Sequence, residues 1–334
     1  MKQINLGAIL KNSAVITGIV LLFFVVIATI ASPHFLTRFN VQALMRDISF
    51  IALIAVGQSM LLLLGELDLS VGGTATLTGI LTGMMMTTVG IPPGFAIILG
   101  LLIGIALGTL NGTIITKFRL NSMVATIGMQ GVFLGITLVI TRGRAIANIP
   151  ASIRFLGTSN VFEVPLPFII SLTVVTLATL FVIKTRRGRY IYAIGNSKSA
   201  AEILGIKVDR IKILAFAMMG LLASMAGILQ LARLGSAQAN IGSTWPMQSI
   251  AASVIGGVLL TGGVGNPVGA YIGAAILMVI SNMIVLLGVS IFWQQAVSGF
   301  VVVVAIALPS MINMIREKQR IKTIYKQEGP KEGR

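Results

Sequence analysis

Two carboxylates stand between long apolar runs in the segment Gly65-Glu66-Leu67-Asp68-Leu69-Ser70-Val71-Gly72-Gly73. An ionised carboxylate at the centre of a bilayer costs about 3 kcal/mol on insertion scales, so such groups usually face a cavity or a partner. The flanking glycines permit a broken helix, which a membrane tolerates where backbone lines protein or water. Two readings follow. The acids serve a cavity or gate, or the segment is a tight cytoplasmic turn in which Asp68 caps the next helix. A second polar group comprises Gln248, Ser253, Asn282, Gln294 and Gln295, with Trp245 and Trp293 nearby. Amides and aromatics suit a polyhydroxylated solute, although interhelical hydrogen bonds and interfacial anchoring use the same residue types. No acid–base or nucleophile–base pair is evident. The single histidine, His34, and the absence of cysteine exclude a histidine-cluster metal site, a thiolate site and a disulfide framework. The chain therefore does not read as an enzyme.

Two further clusters are organisational. Arg187 to Ile206 is a polar, basic insert between apolar runs. Asn196 or Ser197 is placed to cap a short helix running to about Leu204, and Gly205 to end it. Ala200, Ala201 and Leu204 then share one face and form a small apolar knob for a groove. The alternative is a positively charged loop with an incidental helix. The glycine-rich run Gly256 to Gly269 contains Pro267, which removes a backbone donor. It reads as a hairpin between two spans or as a gate.

The elements that position these clusters are membrane spans. Of 334 residues, 56% are hydrophobic and 10% charged, against about 25% charged in soluble domains. Runs long enough to cross a bilayer divide the chain into about ten spans: 13–31, 42–64, 69–89, 93–116, 122–141, 166–184, 213–232, 247–263, 267–288 and 292–315. The expected fold is thus all-α and polytopic. With both termini cytoplasmic, 19 of the 25 Lys and Arg residues lie inside. Two are in the N-terminus, two are Lys117 and Arg119, eight lie between Lys184 and Lys212, and seven follow Ile315. The net charge of +16 accordingly reports topology rather than nucleic-acid binding. The expected organisation is a cytoplasmic N-terminus (1–12), one transmembrane domain (13–315) with a cytoplasmic loop at 185–212, and a basic tail (316–334). The first apolar run is expected to be a retained span rather than a cleaved leader. The external loop from Arg142 to Pro165 has no core-sized apolar run and reads as a short cap. No polar segment is long enough to bury a core of its own. No G-x-x-x-x-G-K-[ST] phosphate loop occurs, so the chain is not expected to hydrolyse ATP itself.

Taken in order, several motifs resemble the membrane permease subunit of ribose-type ABC importers, over essentially the whole chain. They are Gly65-Glu-Leu-Asp-Leu-Ser-Val-Gly72, Met123-Val-Ala-Thr-Ile-Gly128, Gly188-Arg-Tyr-Ile-Tyr-Ala-Ile-Gly-Asn196, Ala200-Ala-Glu-Ile-Leu-Gly-Ile206, Gly220-Leu-Leu-Ala-Ser-Met-Ala-Gly227 and Ser249-Ile-Ala-Ala-Ser-Val-Ile-Gly-Gly257. The resemblance implies alternating access in a bacterial inner membrane, with a second permease subunit, a cytoplasmic ATPase that uses ATP and Mg, and an extracytoplasmic binding protein delivering a monosaccharide. The permease itself would bind no cofactor. The resemblance makes the insert a coupling helix, with Gly195, Asn196, Ser199, Ala200, Ala201, Leu204 and Gly205 at the ATPase. Glu66, Asp68, Ser70, Thr126, Gln248 and Asn282 are the residues expected along the translocation path. Three departures stand out. Ser199 replaces the usual Glu of the docking motif, Glu66 stands where a small residue is common, and Pro246-Met247-Gln248 and Val258-Leu259 replace more polar residues. Alternatives are an importer for branched-chain amino acids, nucleosides or a furanone-type signal, and an ion-coupled transporter using Glu66 and Asp68.

Overall fold

The computed structural model describes residues 13–290 continuously and, beyond them, 293, 296, 299, 300, 303 and 307. The segment 1–12, nearly all of the expected span 292–315 and the tail 316–334 lie outside the described residues. The chain is an all-α polytopic membrane protein. Its helices are α1 (Ser13–Ala31), α2 (Arg38–Leu63), α3 (Val71–Thr87), α4 (Pro93–Lys117), α5 (Ser122–Thr141), α6 (Ala151–Thr158), α7 (Leu166–Lys184), α8 (Arg186–Asn196), α9 (Lys198–Ile203), α10 (Val208–Leu234), α11 (Trp245–Ile255) and α12 (Pro267–Leu286). Six of them, α2, α4, α5, α7, α10 and α12, are long and apolar enough to cross a membrane.

The helix α2 runs through the centre of the bundle. Every residue from Ile48 to Leu63 is buried, so this helix is apolar on all faces rather than on one stripe. Packing around it is set by small residues. Gly100, Gly104, Gly108 and Gly112 recur every four residues along one face of α4. A Cβ at Gly104 would collide with Ser224 and the Gly220 carbonyl of α10, and one at Gly108 with the Phe216 carbonyl. With lipid as apolar as leucine, close backbone approach of this kind is what holds two helices together.

One expected span differs in kind. The stretch 247–263 was expected to cross as a helix, but α11 covers only Trp245–Ile255, a length of about 16 Å. Glycine-rich turns follow it through Gly263, and residues 236–244 precede it without helix. The segment from Arg142 to Pro165 is more built than the short cap expected. Ile149 and Ile153, flanking the start of α6, join a small core with Ile80, Met86 and Leu231. A two-stranded hairpin, β1 (Asn160–Val161) with β2 (Val164–Pro165), follows. Its turn residues Phe162 and Glu163 both take left-handed φ angles, as a type I′ turn requires. Arg38, Gln42 and Arg46, one turn apart along the start of α2, bond to Glu163 and Asn160 and hold this hairpin down.

The glycine stripe makes a prediction. Gly104→Val should lower the thermal unfolding midpoint of the purified protein in detergent, at a cost of about 1–3 kcal/mol or more. Gly18→Ala, where an added Cβ meets nothing within 4 Å, should leave it unchanged or raise it slightly. Equal midpoints for Gly104→Val and the parent would show that the α4–α10 contact is not close-packed.

Candidate functional site

The acidic segment is a break between two helices, and each part of it has an identifiable anchor. Helix α2 ends at Gly65, whose φ of +74° needs no Cβ. Gly65 N–H donates to Leu62 O and Glu66 N–H to Leu61 O, the paired bonds of a Schellman end. The chain then turns back to start α3, and side chains from other helices receive its free backbone groups. Leu67 N–H donates to Ser122 Oγ at 3.2 Å, and Leu69 N–H to Thr126 Oγ1 at 3.0 Å. With its amide oriented to suit both groups, Gln58 donates to the Asp68 backbone carbonyl (3.2 Å) and accepts from its N–H (3.3 Å). Gly73 N–H, in the first turn of α3, donates to Gln130 Oε1 at 2.6 Å.

Asp68 organises the break from inside. It is 2% exposed, and its Oδ1 accepts from both Ser70 N–H (2.8 Å) and Ser70 Oγ–H (2.6 Å). Asn111 Nδ2 donates in turn to Ser70 Oγ at 2.7 Å, while Asn111 Oδ1 has no partner among the described residues. Asp68 is therefore not the solvated cap of a surface turn. Glu66 forms an ion pair with Lys212 at the start of α10, with both side chains largely covered. Sequence reading missed Gln58, Asn111 and Lys212. The first two are single amides inside apolar runs, and Lys212 lies 146 residues from its partner.

The basic insert forms two helices. Thr185 caps α8 by accepting from Gly188 N–H, and Ser197 caps α9 by accepting from Ala200 N–H. Gly205, at φ +77°, ends the second helix with Ile206 N–H donating to Ala201 O and Gly205 N–H to Glu202 O. The expected cap and stop are thus in place. The face is different. Ala201 is 1% exposed and packs into the chain's own core, whereas Ile203 and Leu204 are 86% and 77% exposed. The apolar knob consists of Ile203 and Leu204 beside Ala200, and Ile203 was missed because a helix this short shows its facing only in tertiary context. Ser199 and Gly205 are exposed, while the α8 residue Gly195 faces inward.

Three clusters separated in sequence meet at Gly195. A Cβ there would collide with the Leu63 carbonyl at the end of α2 and with Gly263. Gly263 N–H donates to Leu63 O at 3.0 Å. Tyr192 O–H donates to Gly265 O at 2.8 Å, and burial pushes this phenol's pKa up, so it remains a neutral donor. Asn196 Nδ2 donates to Tyr192 O at 2.8 Å and also faces Gly263 O. The insert, the acidic break and the glycine-rich run thus form one junction.

Of the residues expected along the path, Glu66, Asp68, Ser70 and Thr126 sit together at this break. Gln248 lies apart on α11, half-buried, with its Oε1 3.4 Å from Thr244 Oγ1. Asn282 is farther still. It exchanges amide hydrogen bonds with Asn40 near the opposite end of α2, at 2.8 and 3.0 Å, and clasps α12 to α2. Trp245 is buried and so is not an interfacial anchor.

A permease family described as "branched-chain amino acid transport system / permease component" matches residues 40–306, and the chain belongs to it. The chain is 37% identical to the ribose import permease of Bacillus subtilis (strain 168) over 309 residues, which is 92% of this chain and 95% of that one. It is 37% identical to the ribose import permease of Escherichia coli (strain K12) over 86% of this chain and 91% of that one. The autoinducer 2 import system permease of Yersinia enterocolitica is 35% identical over 79% of this chain and 74% of its own. No solved structure matches the chain.

The Glu66–Lys212 pair can be measured directly. Lys212→Met alone should destabilise the protein by on the order of 2–4 kcal/mol, because it leaves a largely covered carboxylate unpaired. Glu66→Gln made in that background should cost much less than in the parent, which a double-mutant cycle of unfolding midpoints reads as coupling. Additive effects would show that the two charges do not depend on each other.

Proposed function

We propose that this chain is the permease subunit of an ABC importer that carries a monosaccharide, of the ribose type, across a bacterial inner membrane. In this reading it has about ten spans with both termini cytoplasmic. It pairs with a second permease subunit, docks a cytoplasmic ATPase that uses ATP and Mg, and receives solute from an extracytoplasmic binding protein. It is a non-catalytic subunit and binds no nucleotide. Near-full-length likeness to ribose import permeases supports the solute class, and the uneven placement of Lys and Arg supports the orientation.

The observation that carries the mechanism is the junction at Gly195. The knob Ile203–Leu204 protrudes from a short capped helix whose neighbour α8 is packed without slack on the ends of α2 and of the glycine-rich run. A partner that moves the knob must also move the break at residues 64–70 and the start of α3. ATP-driven closure of two ATPase subunits would thereby reach the interior through backbone contacts. An ion-coupled cycle fits less well, because both acids have internal partners: Glu66 with Lys212, and Asp68 with Ser70. The Yersinia relative favours a second solute, autoinducer 2, and uptake assays with both compounds distinguish the two.

Ile203→Asp and Leu204→Asp should each abolish co-purification of the ATPase while leaving membrane insertion and thermal unfolding unchanged. Ala201→Asp should instead impair folding, since that position is internal. Normal ATPase binding by both exposed-site variants would remove the docking assignment.

Reconstituted vesicles holding permease, ATPase and binding protein should take up ribose only with ATP, and uptake should survive collapse of proton and sodium gradients. Uptake by the permease alone down an ion gradient would overturn the importer reading.

A further inference from the structure

The stretch of chain before α11 runs from one end of α3 to the other without being helical. Its outer end is fixed where Ala237 and Ile146 exchange backbone hydrogen bonds at 2.9 Å. Ile146 lies beside Gly83, near the outer end of α3. Five residues later the chain has reached the other end of the same helix. Gly242 lies against Gly72, and Gly242 N–H donates to Thr76 Oγ1 at 3.3 Å. From Gly83 to Thr76 or Gly72 is about 10–16 Å along an α-helix. α11 then supplies about 16 Å more, ending in turns that reach Gly263 and the end of α2. Together these lengths match a hydrocarbon thickness of about 30 Å, so residues 238–244 lie within it.

Irregular backbone at that depth does not face lipid. It occurs only where protein covers it or where it lines water. Among the described residues, the N–H groups of Gln238, Ala239, Asn240 and Ile241 have no hydrogen-bond partner. Gln238, Asn240 and Ser243 are exposed on the same leg, followed by exposed Met247 and half-buried Gln248. No residue from Ser236 to Ser249 carries a charge, while amides and hydroxyls recur along it. A leg of this composition is suited to exchanging hydrogen bonds with a neutral solute and offers no counter-ion to a charged one.

From this placement we infer that the leg from Gln238 to Gln248 lines the solute path, with Asn240 and Ser243 hydrogen-bonding a neutral polyhydroxylated solute at mid-membrane. The inference rests on the importer reading. Asp68 and Ser70 act behind this surface: they hold the start of α3, and the close Gly72–Gly242 contact hands that position on to the leg.

The natural absence of cysteine makes the test direct, because a thiol reacts with a maleimide as thiolate, which needs water. Asn240→Cys, Ser243→Cys and, on the exposed middle of α7, Leu177→Cys are each placed in the permease assembled with its ATPase and binding protein. A membrane-impermeant maleimide should label positions 240 and 243 to completion under conditions that leave 177 unlabelled. Bound nucleotide should change the rate at 240 and 243. Separately, Asn240→Leu should lower the maximal uptake rate without altering solute affinity of the binding protein. Labelling at 240 and 243 no greater than at 177 would overturn the path assignment. So would a disulfide that forms readily between two copies of the Asn240→Cys variant without labelling, which would make the leg a subunit contact. ATP-independent uptake by the Leu177→Cys assembly would instead refute the importer reading, whatever the labelling shows.

Discussion

Hydrocarbon offers a peptide group no hydrogen bond, and the architecture of this chain follows from meeting that constraint at the places where its helices stop. A continuous helix satisfies its own backbone, so α4, α7 and α12 need only length and apolarity. The break at residues 64–70 needs a partner for every group it frees. For its N–H groups, Ser122 and Thr126 supply partners from a neighbouring helix, Gln58 from the end of α2 itself, and Asp68 from within, while Gln130 receives Gly73 N–H just beyond the break. These polar residues would each weaken a lipid-facing helix. Here they are the condition for having a break, and a break lets helix ends shift without unwinding a whole span.

The second constraint is proximity. An internal side chain reaches a backbone group only if the helices stand close, and glycine makes that possible. Along α4 the four-residue glycine repeat lets α10 approach until backbones touch. At Gly195 the same device serves a different end. The insert contacts the end of α2 through backbone atoms, which have no rotamer to absorb a displacement. A contact through long side chains would be softer, and motion of the insert would be lost before it reached residues 64–70. The use of bare backbone at this junction suits a lever better than a tether.

What the sequence revealed, and what it hid, divides along the same line. The limits of α5 and α7 coincide with the expected 122–141 and 166–184 because hydropathy and capping are local properties. The Ser197 cap and Gly205 stop were legible for the same reason. The facing of Ala201 was not, since a six-residue helix has no inside until α8 and α10 provide one. Nor was the Glu66–Lys212 pair, whose members meet only after the chain folds. The eighth expected span, 247–263, is helical only to Ile255, because a hydropathy window counts the apolar residues of Gly256 to Gly263 without registering that left-handed Gly257, Gly262 and Gly263 turn the chain.

The two broken elements differ in a way that assigns them different tasks. At residues 64–70 the backbone N–H groups find protein partners and the side chains are inward, so this break is finished within the subunit. At residues 238–244 four successive N–H groups have no partner among the described residues, and the amides point outward, so that leg is completed only by water, solute or a neighbour. A finished break can transmit displacement, because nothing in it needs to change partner as it moves. An unfinished one can accept and release a solute, because its donors are not committed. The Gly72–Gly242 contact joins the two, placing the rigid element directly against the open one. In the proposed importer, a displacement of the basic insert that reached the start of α3 would meet the leg there directly, backbone against backbone.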